Sequence, residues 1–245
     1  MEKTMQYKIG AVQPPDIQGD VSQAMRIIAS FMSLADQQSI DVLCFPECFL
    51  QGYTLDINAT KERAIDLSSV IFKGILTQLK EFRVTVILGL IEKEGSRFFN
   101  TAVVIKGGKL VGKYRKVNLF ENNFQPGTEH TVFEVDGLKF GINICYDARF
   151  PEGALEMANK GASVIFYPLS NRWPIQTAKK YRYKHIPNLV GRATESKCWV
   201  VSSDITYRDE ETMGYGCAVI VSPEGDVLKR VADFEIGMTS FAIDL

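Results

Sequence analysis

Gly141-Ile142-Asn143-Ile144-Cys145-Tyr146-Asp147-Ala148-Arg149-Phe150-Pro151-Glu152 decides how the chain folds, because three local signals meet in it. An apolar strand runs into a polar turn, and Pro151 stands where a proline suits the first turn of a helix. Upstream, residues 132–135 and 138–144 flank Asp136-Gly137, a dipeptide suited to a tight hairpin, so the second strand is expected to stop at Cys145. Downstream, Leu155, Met157 and Ala158 continue the helix, Gly161 ends it, and residues 163–167 form another strand. The same β-α-β logic opens the chain. Residues 7–12 and 42–45 read as strands around a helix over 20–38, for which Asp20 or Ser22 is the cap. A helix over 69–82 and a strand over 84–91 follow, and Gly107-Gly108 then joins strands 101–105 and 110–114 into a hairpin. Residues 178–195 read as a long helical stretch interrupted by Pro187. Strands over 199–205, 217–221 and 238–244 close the chain. The expected architecture is α/β, one domain over residues 1–245, with two sheets packed face to face and helices outside.

Composition excludes several classes. Lys plus Arg total 28 against 29 Asp plus Glu, with no long run of like charge, so neither a nucleic-acid-binding nor an anionic-membrane surface is expected. No apolar stretch approaches the roughly 18 residues that span a bilayer. The opening MEKTMQYKIGAVQ lacks the features of a secretory leader, and five cysteines make a poor disulfide scaffold, so a reduced, cytoplasmic protein is expected.

Three places can carry chemistry. Phe45-Pro46-Glu47-Cys48 follows a strand, and the carboxyl ends of strands are where α/β proteins hold ligands, so Glu47 is either a catalytic acid or base or a loop surface residue. In 113–120, KYRKVNLF, period-two alternation puts Tyr114 and Lys116 on one face and Lys113 and Arg115 on the other. One pair can point inward, where a lysine needs a carboxylate partner; the alternative is a solvated basic strand end. Cys145, at a strand tip before a polar turn, sits as a nucleophile does, and nearby backbone N–H groups and a helix dipole would favour its thiolate. Cys198 and Cys217, inside expected strands, read as inert core residues. Cys44 and Cys48 have no second Cys or His pair nearby, so no metal site is expected. His130 and His185 are the two histidines, and neither stands at a strand tip, so a base for Cys145 is better sought among carboxylates. Serine-hydrolase, dinucleotide and phosphate-loop motifs do not occur.

Taken in order, FPECFLQGY at 45–53, KYRKVNLF at 113–120 and GINICYDARFPE at 141–152 resemble the three signature blocks of the nitrilase, or carbon-nitrogen hydrolase, superfamily. The resemblance continues through the Gln125-Pro126-Gly127 turn, the RATES helix end and the closing GYGCAVIVSPEG segment. It implies a four-layer αββα sandwich, a subunit that pairs into a homodimer or larger assembly, and a Glu-Lys-Cys triad falling on Glu47, Lys116 and Cys145. A second family glutamate falls on Glu121. Asn118 replaces a common His of the second block and Cys217 a usual Ser. The implied activity is hydrolysis of a non-peptide C–N bond in a small carboxamide of the ω-amidase kind. It runs through a thioester, with no cofactor, and releases ammonia and an acid; N-carbamoyl amines and nitriles are alternatives, and a silent binding protein a further one. Arg149 and Arg172 are candidates for a substrate carboxylate, and Tyr53, Tyr146 and Trp173 for the pocket wall, against ion pairing and core packing respectively.

Overall fold

The computed structural model describes residues 4–245; the first three residues of the stretch read as lacking a leader lie outside them. Among the described residues there are fifteen strands: β1 (Gln6–Gln13), β2 (Val42–Cys44), β3 (Thr85–Glu94), β4 (Arg97–Lys106), β5 (Lys109–Arg115), β6 (Val132–Val135), β7 (Leu138–Ile142), β8 (Val164–Pro168), β9 (Trp173–Pro174), β10 (Trp199–Ser203), β11 (Thr206–Arg208), β12 (Thr212–Tyr215), β13 (Val219–Val221), β14 (Val227–Arg230) and β15 (Gly237–Asp244). The α-helices are α1 (Val21–Gln37), α2 (Ile57–Arg63), α3 (Val70–Gln78), α4 (Pro151–Asn159), α5 (Ile175–Tyr181) and α6 (His185–Ser196).

Two six-stranded sheets run β15-β1-β2-β3-β4-β5 and β14-β13-β10-β8-β7-β6, and β11-β12-β9 forms a small third one. Each large sheet has three parallel central strands, β1-β2-β3 and β7-β8-β10, flanked by antiparallel neighbours. Three apolar layers hold the stack together. Ile9, Ile87 and Val104 of one sheet meet Phe140, Phe166 and Ile220 of the other between the sheets. Ala24, Ile28 and Met32 of α1 and Phe72 and Ile75 of α3 cover the outer face of the first sheet at Leu43, Val86 and Leu88. Ala154 and Met157 of α4 and Leu189 and Ala193 of α6 cover Ile165 and Val200 of the second. The layers are therefore helix, sheet, sheet, helix, the αββα order that the sequence resemblance implied.

The local rules are visible in the caps. Asp20, not Ser22, caps α1 by accepting from the Gln23 N–H at 2.8 Å, and Pro151 occupies the first turn of α4. Four details depart from the sequence reading. The strand before Cys145 ends at Ile142, because Asn143 and Ile144 turn toward a five-residue 3₁₀ turn over Cys145–Arg149. The helical stretch 178–195 starts at Ile175 and is cut by a 3₁₀ turn at Arg182–Lys184, which leaves Pro187 in the first turn of α6, where its missing N–H has no helical partner to lose. Cys217 precedes its strand rather than lying in it. The small sheet, α2 and β14 had no expected counterpart, being short segments without clear periodicity.

Gly89 of β3 is what lets the loop after β2 approach the first sheet. A Cβ there would lie 2.2 Å from the Pro46 carbonyl oxygen, 2.6 Å from the Cys48 nitrogen and 2.9 Å from the Glu47 Cα, all backbone atoms that cannot swing aside. Gly89→Ala is therefore expected to destabilise the protein by about 1–3 kcal/mol, the usual range for an overpacked core, and to displace Glu47. Thermal unfolding of this variant beside Gly74→Ala, whose Cβ meets nothing within 4 Å and whose φ is ordinary, checks the difference; equal melting temperatures would contradict the packing argument.

Candidate active site

The carboxyl ends of strands from both sheets converge. Glu47 follows β2, Lys116 follows β5, Cys145 lies three residues after β7, Asn171 three after β8, and Asp204 directly after β10. The Glu47 backbone N–H donates to the Leu169 carbonyl at 3.1 Å, which stitches the loop after β2 to the loop after β8. Glu47, Lys116 and Cys145 line one cavity of about 740 Å³.

Lys116 is 2 % exposed and carries its charge only because its partners do. Its Nζ donates at 2.7 Å to Glu47 Oε1 and at 2.7 Å to Glu121 Oε1. Burial opposes the ammonium, but the two carboxylates and the facing sulfur outweigh it and hold the lysine protonated beyond the ordinary range. The alternation expected in the sequence explains the placement. Tyr114 and Lys116 point inward, whereas Lys113 and Arg115 on the opposite face pair with Glu92.

The two carboxylates are not equivalent. Glu121 Oε1 accepts from Lys116, from the Tyr53 hydroxyl at 2.9 Å and from Asn100 Nδ2 at 3.4 Å, and Oε2 accepts from the Phe120 N–H at 2.9 Å. Burial acts to raise its pKa, yet the ammonium and these donors prevail and hold it below the usual carboxylate range. Glu47 Oε1 accepts from Lys116 and from Asn100 Nδ2 at 2.7 Å, while its Oε2 is buried and has no partner. Burial, with repulsion from Glu121, pushes Glu47 up despite Lys116. One acid is thus kept ionised and fully bonded, and the other keeps a free oxygen and a raised proton affinity. Such a split separates an electrostatic anchor from a proton carrier.

Cys145 has φ +43°, a left-handed conformation that a non-glycine residue adopts only where its surroundings impose it. Asp147 imposes it. Its Oδ2 accepts from the Ile144 N–H at 2.9 Å and the Tyr114 hydroxyl at 2.9 Å, and its Oδ1 accepts from the Asn118 N–H at 2.7 Å and Asn118 Nδ2 at 3.0 Å. One buried aspartate therefore ties the cysteine turn to the segment that bears Lys116, and Asn118 supplies a side-chain donor in place of the more common histidine. The sequence reading that a helix dipole would favour the thiolate is corrected here. The element is a short 3₁₀ turn, and burial together with the Glu47 charge holds the thiol protonated, although Lys116 and the facing Ser170 N–H work the other way. Attack by this sulfur requires its proton to be taken as the bond forms, and Glu47 Oε2 is the free acceptor.

Of the residues expected to meet substrate, Tyr53, Tyr146 and Trp173 for the wall and Arg149 for a carboxylate line the cavity. Phe120 packs on both Tyr146 and Trp173, with ring centroids 5.9 and 5.7 Å apart. Arg172 does not reach the cavity. Its Nη1 donates to Asp16 Oδ2 at 2.8 Å and its Nε to Thr212 Oγ1 at 2.9 Å, over the Tyr207 ring, so it clamps the small sheet to the loop after β1. Of the two histidines, His130 stacks on Tyr114, and His185 lines the cavity, where burial lowers it to about 4. Sequence reasoning missed Asn100, Asp147, Ser170 and Asn171, along with Lys180 and Lys184 at the outer wall of the cavity. Asn100 alone carried a signal, as an amide inside the apolar run of β4 that requires a buried partner.

Residues 8–245 match the carbon-nitrogen hydrolase family model. A protein of Pyrococcus abyssi named a nitrilase is 31% identical over 220 residues, covering 86% of this chain and 79% of the relative. A 2-oxoglutaramate amidase of Bacillus subtilis is 30% identical over 224 residues, covering 89% and 83%. The crystal structure of Saccharomyces cerevisiae Nit3, a member of branch 10 of the nitrilase superfamily, superposes with a TM-score of 0.85 at 24% identity, covering 98% of this chain and 90% of that one. The chain belongs to the carbon-nitrogen hydrolase family.

Proposed function

We propose that this protein is a cysteine-dependent amidase of the ω-amidase kind, acting on a small carboxamide whose acyl part ends in an anion. The observation that carries the reading is the free, buried Oε2 of Glu47 in the same cavity as Cys145, while Oε1 is pinned by Lys116. Glu47 Oε2 takes the thiol proton as Cys145 Sγ attacks the amide carbon. The remaining N–H of Lys116 and the Tyr146 backbone N–H stabilise the oxyanion, each such donor contributing about 3–4 kcal/mol when its removal is measured. Glu47 returns its proton to the nitrogen, C–N cleavage releases ammonia, and a thioester remains on Cys145. Water activated by Glu47 then hydrolyses the thioester to the carboxylic acid. Glu121 acts through Lys116, since both its oxygens are occupied and it does not line the cavity. The reading needs no metal or organic cofactor, because side chains carry the whole acyl transfer.

The acyl end is read from charge. Arg149 lies over the Tyr146 ring, and Lys180 and Lys184 flank the Tyr181 ring, all on the cavity wall and without an ion-pair partner among the described residues. Three unpaired cations at the outer wall favour an acyl chain with a remote carboxylate. The name of the Bacillus subtilis 2-oxoglutaramate amidase relative agrees with this. The proposal includes one domain over residues 1–245 and a homodimer or larger assembly. It also includes a cytoplasmic location, which suits five free cysteines.

Cys145→Ala is expected to abolish ammonia release and the acyl adduct seen by intact mass, and Glu47→Gln to bind amide without acylating; turnover at the native rate in either would refute the mechanism. The acid limb of kcat/KM should lie above the ordinary glutamate value, since activity is lost as Glu47 gains a proton. Glu121→Gln removes a repelling charge, so the limb should move to lower pH while the plateau falls; a limb that moves upward would exclude Glu47 as the base. Lys180→Ala and Lys184→Ala should each raise KM about two- to fivefold for an amide with a remote carboxylate, as expected for exposed charges. A neutral amide of equal length should respond less, and an equal response would remove the anionic acyl end from the proposal.

A further inference from the structure

Asn171 and Asp204 form a buried polar pair beside the catalytic groups that the mechanism leaves unused. Asp204 is 1 % exposed, and no cation pairs with it among the described residues. Its Oδ1 accepts from the Asn171 backbone N–H and from the Ile205 N–H, each at 2.9 Å, and its Oδ2 accepts from Asn171 Nδ2 at 2.8 Å. Burying a carboxylate without a counter-charge is costly; it pushes Asp204 up to about 7 against the pull of those three donors. What the pair achieves is orientation. An asparagine amide is nearly symmetric in shape, but an ionised carboxylate accepts only from its NH2 end, so above about pH 7 Asp204 dictates which end of Asn171 faces away from it.

The end facing away is the carbonyl. Asn171 Oδ1 accepts no hydrogen bond from the described residues, yet it is not among the sealed, partnerless atoms, and Asn171 lines the cavity that holds Cys145. Its position fixes what it can meet. The preceding residue, Ser170, turns its N–H toward the Cys145 sulfur, and Leu169 accepts from the Glu47 backbone. The donors, Lys116 Nζ and the Tyr146 N–H, gather where the carbonyl oxygen of a bound amide must go. The acceptors, Glu47 Oε2 and Asn171 Oδ1, are left for its nitrogen. A primary carboxamide nitrogen carries two N–H groups, and these are two acceptors for them.

We propose that Asn171 is a specificity-determining residue that accepts a hydrogen bond from the leaving nitrogen of a primary carboxamide, and that Asp204 is the positioning residue that keeps the Asn171 carbonyl turned toward the substrate. This rests on the amidase reading and extends it: the site selects amides over esters of the same acid because an ester has no N–H to offer. An acceptor left unpaired by the wrong substrate is a strong source of discrimination.

The test compares kcat/KM for the monoamide and the monomethyl ester of one five-carbon dicarboxylic acid, in the native protein, Asn171→Leu, Asp204→Asn and the double variant. Loss of one buried hydrogen bond corresponds to about tenfold, so Asn171→Leu should lower amide turnover about tenfold more than ester turnover. Asp204→Asn keeps its oxygen on the Asn171 and Ile205 backbone N–H groups and turns its NH2 toward Asn171, which flips the Asn171 amide, so it should shift the amide-to-ester ratio the same way and by a comparable amount, about tenfold. In the Asn171→Leu background it should leave the ratio unchanged, since the effect passes through Asn171. Parallel losses on both substrates, or a further change of ratio in the double variant, would overturn the proposal while leaving the amidase reading intact. A native protein that cleaves the ester but not the amide would instead remove the amidase reading and this proposal together. Asp204→Asn matches the native side chain in shape and carries the test alone if Asn171→Leu does not fold; an unchanged ratio there overturns it.

Discussion

A single ammonium group held between two carboxylates in a nearly sealed space organises this molecule. Lys116 could not remain charged at 2 % exposure without Glu47 and Glu121, and neither glutamate would keep its separate character without Lys116. A buried ion cluster of this kind is weak as a stabilising device, because desolvation offsets most of the attraction. Its worth lies in asymmetry. Because the lysine, Asn100, Tyr53 and a backbone N–H satisfy Glu121 completely, Glu47 is left as the group that can change its proton at little structural cost. The fold keeps this arrangement from relaxing into water by drawing the ends of strands from both sheets together, through contacts as close as that of Gly89 with the Glu47 loop.

The second organising element is Asp147, which sits under the nucleophile rather than beside it. By accepting from Ile144, Tyr114 and both donors of Asn118, it couples the strained backbone of Cys145 to the segment carrying Lys116. The sulfur and the ammonium are therefore positioned by one shared residue. Strain at Cys145 is maintained by four donors on one carboxylate, which is how an unfavourable dihedral angle survives in a folded protein.

How much of this could be read from residues alone depends on the range of the interactions. Strand ends, the Pro151 start and the Asp20 cap depend on neighbours a few positions away, and they stand close to where the pattern puts them. The inward face of Lys116 follows from simple alternation along β5. Contacts between distant segments left no such trace. Arg172 looked like a substrate ligand until its partner Asp16, 156 positions earlier, took it out of the cavity. Asn171 and Asp204, 33 positions apart, meet only because β8 and β10 are adjacent and parallel. The 3₁₀ turn at Arg182–Lys184 was hidden in a helical pattern; it carries Lys184 and separates Lys180 on α5 from α6 on the cavity wall.

The account turns on the charge of Lys116, and nitrogen NMR of the lysine side chains measures it directly. One ammonium signal, absent from a Lys116→Met variant, should stay protonated beyond the pH near 10.4 at which ordinary lysines titrate, since the carboxylates raise its proton affinity. A Lys116 nitrogen that loses its proton with the surface lysines or before them would mean that the two glutamates do not share a cation, and the division of roles between them would fall with it.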